Sequence, residues 1–209
     1  MRQDRLAATI GAAMLLCGWC APAMATTIQQ KSLSDLVKGA ELVFEGTVTG
    51  STVEPGPNGN GARSCFTFQV MDVIVGTPPG GPLTLCFMGG EIGGRHFVVS
   101  GMRYPVVGEH GIYLVESTHQ AMANPLIGWD QGHFLVEADP VTGTPRIMTA
   151  AHRRVMAITA EAAQPTATAA IVSPSGATAA GVESDDGPDL TGALSRDDFS
   201  SRLRSFVGQ

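Results

Sequence analysis

Between positions 41 and 149 apolar and polar residues trade places with a period of two, interrupted every few residues by glycine or proline. That is the pattern of half-buried strands joined by turns. Residues 41–53 form a first strand rich in β-branched and aromatic types, with Gly46 and Gly50 marking a bend or bulge. The Pro/Gly/Asn-rich stretch 54–63 is a loop. In the second strand, 64–75, Phe66, Phe68 and Val70 alternate with Thr67, Gln69 and Met71. A turn at 76–81 leads into a third strand, where Leu83, Leu85 and Phe87 alternate with Thr84, Cys86 and Met88. The region 64–88 therefore reads as a hairpin. Further strands are expected at 95–100, 110–116, 132–138 and 146–149, with the glycine run 89–94 as a flexible connector and 101–109 as a loop.

Helical spacing occurs at the two ends of this region. Leu33, Leu36 and Val37 share one face of a short helix over 32–40, capped by Ser32 or Ser34. Phe199, Leu203 and Phe206 form a stripe on a terminal helix over 195–206, with Ser195 as its cap and Asp198 three residues on. That stripe needs a surface, either the β domain or a partner. The fold expected is all-β, a small, mainly antiparallel OB-like barrel around one apolar interior, with short flanking helices. Its domain spans 26–156.

The segment from 157 to 194 breaks the pattern. It is dominated by Ala, Thr, Ser, Pro and Gly with acidic residues, and it has no aromatic side chain. On composition it buries too little to offset its ordering entropy and reads as a disordered linker. The last piece, 195–209, carries the terminal helix.

The first 25 residues have another pattern. Arg2 and Arg5 precede an apolar run from Leu6 to Leu16, and Ala23-Met24-Ala25 places small residues at −3 and −1 of a cleavage site. This is the form of a secretory signal peptide, and the apolar run falls short of the about 20 residues needed to span a bilayer. Cleavage after Ala25 is expected to leave 184 residues in the periplasm or secreted, without membrane insertion.

Cleavage would remove two arginines and one aspartate, leaving eleven basic and eighteen acidic side chains, a net charge of −7. Such a chain repels phosphate backbones and anionic lipid surfaces, and its basic residues cluster only at Arg153-Arg154. Nucleic acid is not an expected partner. A secreted or envelope protein is.

Cys65 and Cys86 are the cysteines left after cleavage, and in an oxidising compartment a lone pair usually forms one disulfide. A hairpin closed around Pro78-Pro79 pairs Val70 with Phe87 and puts Cys86 opposite Met71. Cys65 then lies about 20 Å away along the strand, beyond the reach of a disulfide, so a bridge requires a bulge, a sharp bend or a different pairing.

Catalytic signals are weak. There is no G-x-S-x-G and no H-E-x-x-H, and no two histidines stand at a local metal-binding spacing. His96, His110 and His133 lie at strand starts and are weak metal candidates if they converge at one barrel end beside Glu109; otherwise they face solvent. No metal, cofactor or catalytic residue is assigned. Loops on a rigid barrel carry binding, which makes 89–109 the preferred contact surface, with Arg95, Arg103 and Tyr104 as anchors. Trp129, between Gly128 and Asp130, is either an interior plug or an exposed ligand contact.

Ser34-Asp35-Leu36-Val37 leading into Ala40 to Val48 resembles the opening of a group of uncharacterised secreted bacterial proteins. Phe68 to Gly76, Met88-Gly89-Gly90, Gly108-Glu109 before Ile112 to Val115, Gly128 to Gly132 and the terminal helix fit the same plan. The resemblance covers roughly 32–150 and 195–206. It implies an OB-like barrel similar to the N-terminal domain of tissue inhibitors of metalloproteinases. Those inhibitors address zinc with an N-terminal cysteine, whereas Thr26-Thr27 begins the expected mature chain here. The resemblance therefore implies the fold and brings no established activity. A non-catalytic binding protein is the expectation. An inhibitor of secreted proteases or a hydrolase with an unrecognised site is the alternative.

Overall fold

A computed structural model describes residues 27–159 and 170–208. The expected signal segment 1–25, and residues 160–169 of the expected linker, lie outside the described residues.

The described residues begin with a short strand, β1 (Ile28–Gln29), and helix α1 (Leu33–Gly39), whose cap is Ser32: its hydroxyl accepts from the Asp35 N–H at 3.0 Å. Two long strands follow, β2 (Leu42–Pro55) and β3 (Ala62–Val75), then β4 (Leu83–Met88). A small hairpin, β5 (Gly90–Ile92) and β6 (Arg95–Phe97), precedes β7 (His110–Val115). After a 3-10 turn at Trp129–Gly132 come β8 (His133–Ala138), β9 (Pro145–Thr149) and β10 (Arg154–Ile158). The described part of the tail holds β11 (Ile171–Val172), β12 (Val182–Asp185) and helix α2 (Arg196–Val207).

Alternation is thus realised as an all-β, antiparallel fold with two flanking helices. The main sheet has eight strands in the order β12-β10-β9-β8-β7-β2-β3-β4. Among the described residues its hydrogen bonding does not return from β4 to β12, so the sheet has two edges where a closed barrel has none. It also serves two cores rather than the single interior expected. On the inner face, Phe44, Val48, Phe66, Phe68, Leu83, Phe87 and Tyr113 form an aromatic-rich cluster. On the outer face, α1 and α2 cover Val43, Ile112, Leu114, Phe134 and Ile147 with Leu36, Phe199, Leu203 and Phe206. Adjacent residues of one strand, such as Phe44 and Val43, serve opposite cores.

The hairpin between β3 and β4 exists with a register unlike the one expected. Phe87 pairs with Ser64, not Val70, and Cys65 lies directly opposite Cys86. The lower half of β3, Gln69–Val75, pairs with β2 alone while β4 stops at Leu83↔Phe68. A turn drawn tightly around the two prolines overlooked that β3 is held on its other side by β2 and has no need to fold back at once. The different pairing brings the cysteines together, and they form a disulfide with Cα atoms 4.0 Å apart.

The glycine run 89–94 is ordered as a hairpin turn. Gly93 and Gly94 take φ of 59° and 71°, the two consecutive positive angles a type I′ turn requires.

The tail departs most from expectation. In the stretch read as a disordered linker, β12 pairs with β10 and β11 pairs with β1. Arg154 on β10 grips Asp185 on β12 with two bonds of 2.6 and 2.7 Å. Ala179 is buried in the outer core with Val182 packed against it. Composition registers apolar side chains; it does not register main-chain ladders or a bidentate ion pair, and these order the segment.

Helix α2 packs back on the sheet. Phe199 meets Phe134 with centroids 4.8 Å apart, and Arg204 reaches Asp72 on β3 at 2.6 Å.

Candidate functional site

The strongest concentration of polar chemistry lies where the connector 98–109 meets the inner face. β7 and β8 run side by side with Tyr113 paired to His133, so both side chains share that face, and their rings lie 4.9 Å apart. Tyr113 stacks on Phe44 at 5.3 Å, which continues the aromatic row. Glu109, just before β7, receives three donors. Its Oε1 accepts from His133 Nε2 at 2.9 Å and from the Tyr113 hydroxyl at 3.0 Å, and its Oε2 accepts from Arg103 at 2.9 Å. Arg103 donates its other terminal nitrogen to the Ala150 carbonyl at 2.7 Å. Asp130 lies close enough to feel the charges of His133 and Arg103, and it accepts from the Gly176 N–H at 2.8 Å.

Burial pushes both acids up, and their other contacts give opposite net outcomes. Desolvation pushes the Glu109 carboxyl up, but the hydrogen bond and charge of His133, the Arg103 charge and the Tyr113 hydroxyl together outweigh it and hold the group below its ordinary value. For Asp130 desolvation wins over the Gly176 hydrogen bond and raises it. Burial and the neighbouring Glu109 charge keep the Tyr113 phenol protonated far into the alkaline range.

A glutamate orienting a histidine is half of a nucleophilic triad. The other half is missing among the described residues, where no serine, threonine or cysteine hydrogen-bonds to His133. His133 is 1 % exposed, and Glu109 is committed on both oxygens. The cluster fastens the connector to the sheet.

The histidines do not converge. Glu109 and His110 are neighbours with opposite directions: His133 joins Glu109 on the inner face, while His110 reaches Glu45 at 2.8 Å on the face that carries α2. His96 remains exposed on β6, 3.5 Å from Glu91. Among the described residues there is no group of three or more His, Cys, Asp or Glu fit to hold a metal ion.

The expected contact residues also separate. Arg95 is exposed on the β5–β6 hairpin. Arg103 and Tyr104 turn inward: Tyr104 donates to the Met88 carbonyl at 2.8 Å and packs near Phe66 and Phe87. Exposed apolar surface on the connector comes instead from Val98 at 85 %, Val106 at 62 % and Val107 at 53 %. Trp129 is half-buried in the 3-10 turn, in a left-handed conformation with φ of 58°.

Glu45, Tyr113 and Asp130 escaped the sequence reading as site residues. Glu45 carried a usable signal, a lone charge directly after the apolar run Leu42-Val43-Phe44 in a strand that buries it to 1 % exposure.

A second feature lies at the sheet edge. A groove of about 180 Å³ runs between β4 and the loop 117–122. Thr84, Leu85 and Cys86 line one side, and Thr118, Gln120 and Met122 are among those lining the other.

No family model, no curated protein and no solved structure matches this chain.

Proposed function

We propose that this chain is an exported, non-catalytic binding protein that contacts a secreted or envelope protein through the segment 89–109, chiefly its connector 98–109. The observation that carries the reading is the division of labour within that connector. Arg103 and Tyr104 are spent on internal bonds that root it, while Val98, Val106 and Val107 are left in water. Apolar side chains displayed on a rooted loop are the arrangement from which interfaces gain affinity, because little ordering entropy remains to be lost on binding. Export is supported by the N-terminal segment, and the Cys65–Cys86 disulfide is compatible with an oxidising compartment. Among the described residues no helix is long and apolar enough to cross a membrane.

The test is a pair of baits made from Thr26 onward, wild type and a V98D/V106D/V107D triple variant, presented to periplasmic extract and culture supernatant. Proteins retained by the wild type and lost from the variant support the connector as the contact surface. Identical retention by both removes it. Assaying the wild type against a panel of secreted proteases separates an inhibitor from other binders.

A further inference from the structure

β4 is the last strand of the sheet, and its ladder settles which way its backbone points. In an antiparallel pair, residues that exchange hydrogen bonds alternate with residues that do not, with Cα separations of about 5.5 and 4.5 Å respectively. Cys65 and Cys86, at 4.0 Å, are a non-hydrogen-bonded pair, and Thr67↔Thr84 and Arg63↔Met88 share their phase. The N–H and C=O groups of Thr84, Cys86 and Met88 therefore point away from β3. Two contacts agree. The Met88 N–H donates to the Ala123 carbonyl at 2.8 Å, and the Met88 carbonyl accepts from Tyr104 at 2.8 Å. The outward groups of Thr84 and Cys86 have no such partner among the described residues, and both residues line the groove beside the 117–122 loop.

We propose that this groove takes an extended peptide segment of a partner protein as an added strand on β4. The peptide backbone would give carbonyls to the Thr84 and Cys86 N–H groups and N–H groups to their carbonyls, continuing the bonding that Ala123 begins at Met88. β4 differs from the other free edges. β12 carries Glu183 and Asp185, and the end of β2 carries Glu54 and Pro55, residues that discourage strand addition. β4 reads Leu-Thr-Leu-Cys-Phe-Met, with no charge and no proline. Its cover is the 117–122 loop, which walls the far side of the groove. Because residues 117–122 line the groove together with β4, the occupant proposed is a single extended peptide and not the sheet edge of another copy. Main-chain bonds supply affinity in such additions, and side-chain pockets supply selectivity. The site is separate from the connector and stands or falls independently of it.

The experiment has two stages. Amide exchange in the free, disulfide-intact protein should show the Thr84 and Cys86 N–H groups exchanging at least about tenfold faster than those of Leu85 and Phe87, which face β3. Equal protection overturns the open edge. A random hexapeptide phage library is then selected on the same protein, and the best binder is synthesised. It should slow exchange at Thr84 and Cys86, and N-methylation of its alternate amides along one edge should abolish this. T84P removes one outward donor, and with it the Thr84 hydroxyl contact to Thr67, while leaving the main-chain bonds to β3, and should weaken the peptide about fivefold relative to T84V, the worth of one backbone hydrogen bond. Should T84P unfold, the exchange pattern of the wild type with the peptide decides. A selection that yields no binder, or binders that protect amides elsewhere, ends the proposal.

Discussion

Glu109 and His110 are adjacent in the chain and build two carboxylate–imidazole pairs on opposite faces of one sheet, and the two pairs are not equivalent. On the inner face Glu109 is met by His133, Tyr113 and Arg103, all held by the sheet or its connector. On the outer face His110 bonds one oxygen of Glu45, while the other has no hydrogen bond and faces Arg196 of α2 at 3.4 Å. The inner pair is closed and saturated. The outer pair depends on a helix contributed by the far end of the chain, and its partners keep access to water, with side-chain exposures of 30 % for His110 and 35 % for Arg196. The same two residue types thus make a fastening on one side and an adjustable contact on the other. What separates them is how many donors each carboxylate collects and how well its partners are solvated once it is gone.

The largest test of this difference is E109A. It strands the His133 ring and the Arg103 guanidinium inside the protein and should cost about 3–5 kcal/mol in urea unfolding, the range for breaking one side of a buried ion pair. Reducing the Cys65–Cys86 bridge, which spans 21 residues and ties β3 to β4, should cost about 3 kcal/mol by the same measurement. E45A should cost about 1–2 kcal/mol, because His110 and Arg196 can turn to solvent. Equal losses for E45A and E109A would erase the distinction between the faces.

The acids sharpen the comparison through pH. Glu109 is held below its ordinary value, so its contribution is present above about pH 4.3 and is lost as pH falls through the depressed value. Asp130 is raised, so its contribution is present below about pH 3.9 and is lost as pH rises through the raised value. The two partly cancel on acidification. D130N should therefore steepen the loss of thermal stability between about pH 5 and 3, and E109Q should flatten it. An unchanged slope in both variants would place the acid sensitivity elsewhere. The smallest effect belongs to R204A, which removes a solvent-exposed contact to Asp72 at the end of α2. It should cost under about 1 kcal/mol and less still in high salt.

Particular residues show where the sequence was readable. Period-two alternation located β2, β3, β4, β7, β8 and β9 to within a few positions, and Ser32 and Ser195 marked both helix starts. The terminal stripe Phe199, Leu203 and Phe206 was legible as needing a surface. β10 and β12 were not legible, since Arg154 and Asp185 are far apart in sequence and signal nothing until they meet. The register of Cys86 failed for a related reason: alternation assigns a residue to a face, and every shift by two preserves that face. The inward turn of Arg103 and Tyr104 was equally hidden, because Ala150 and Met88 offer only main-chain carbonyls, which carry no sequence mark.

The sequence alone determined the class of fold, the approximate position of most strands and both helices, and the cysteine pair able to bridge. These follow from local chemistry: which side chains avoid water, and with what spacing. Only the tertiary structure decided that the sheet has two cores and two edges, that the tail completes it, and that Glu109 and Glu45 live in different environments. Those outcomes depend on which distant main-chain groups find one another, and every residue brings nearly the same N–H and C=O to that choice.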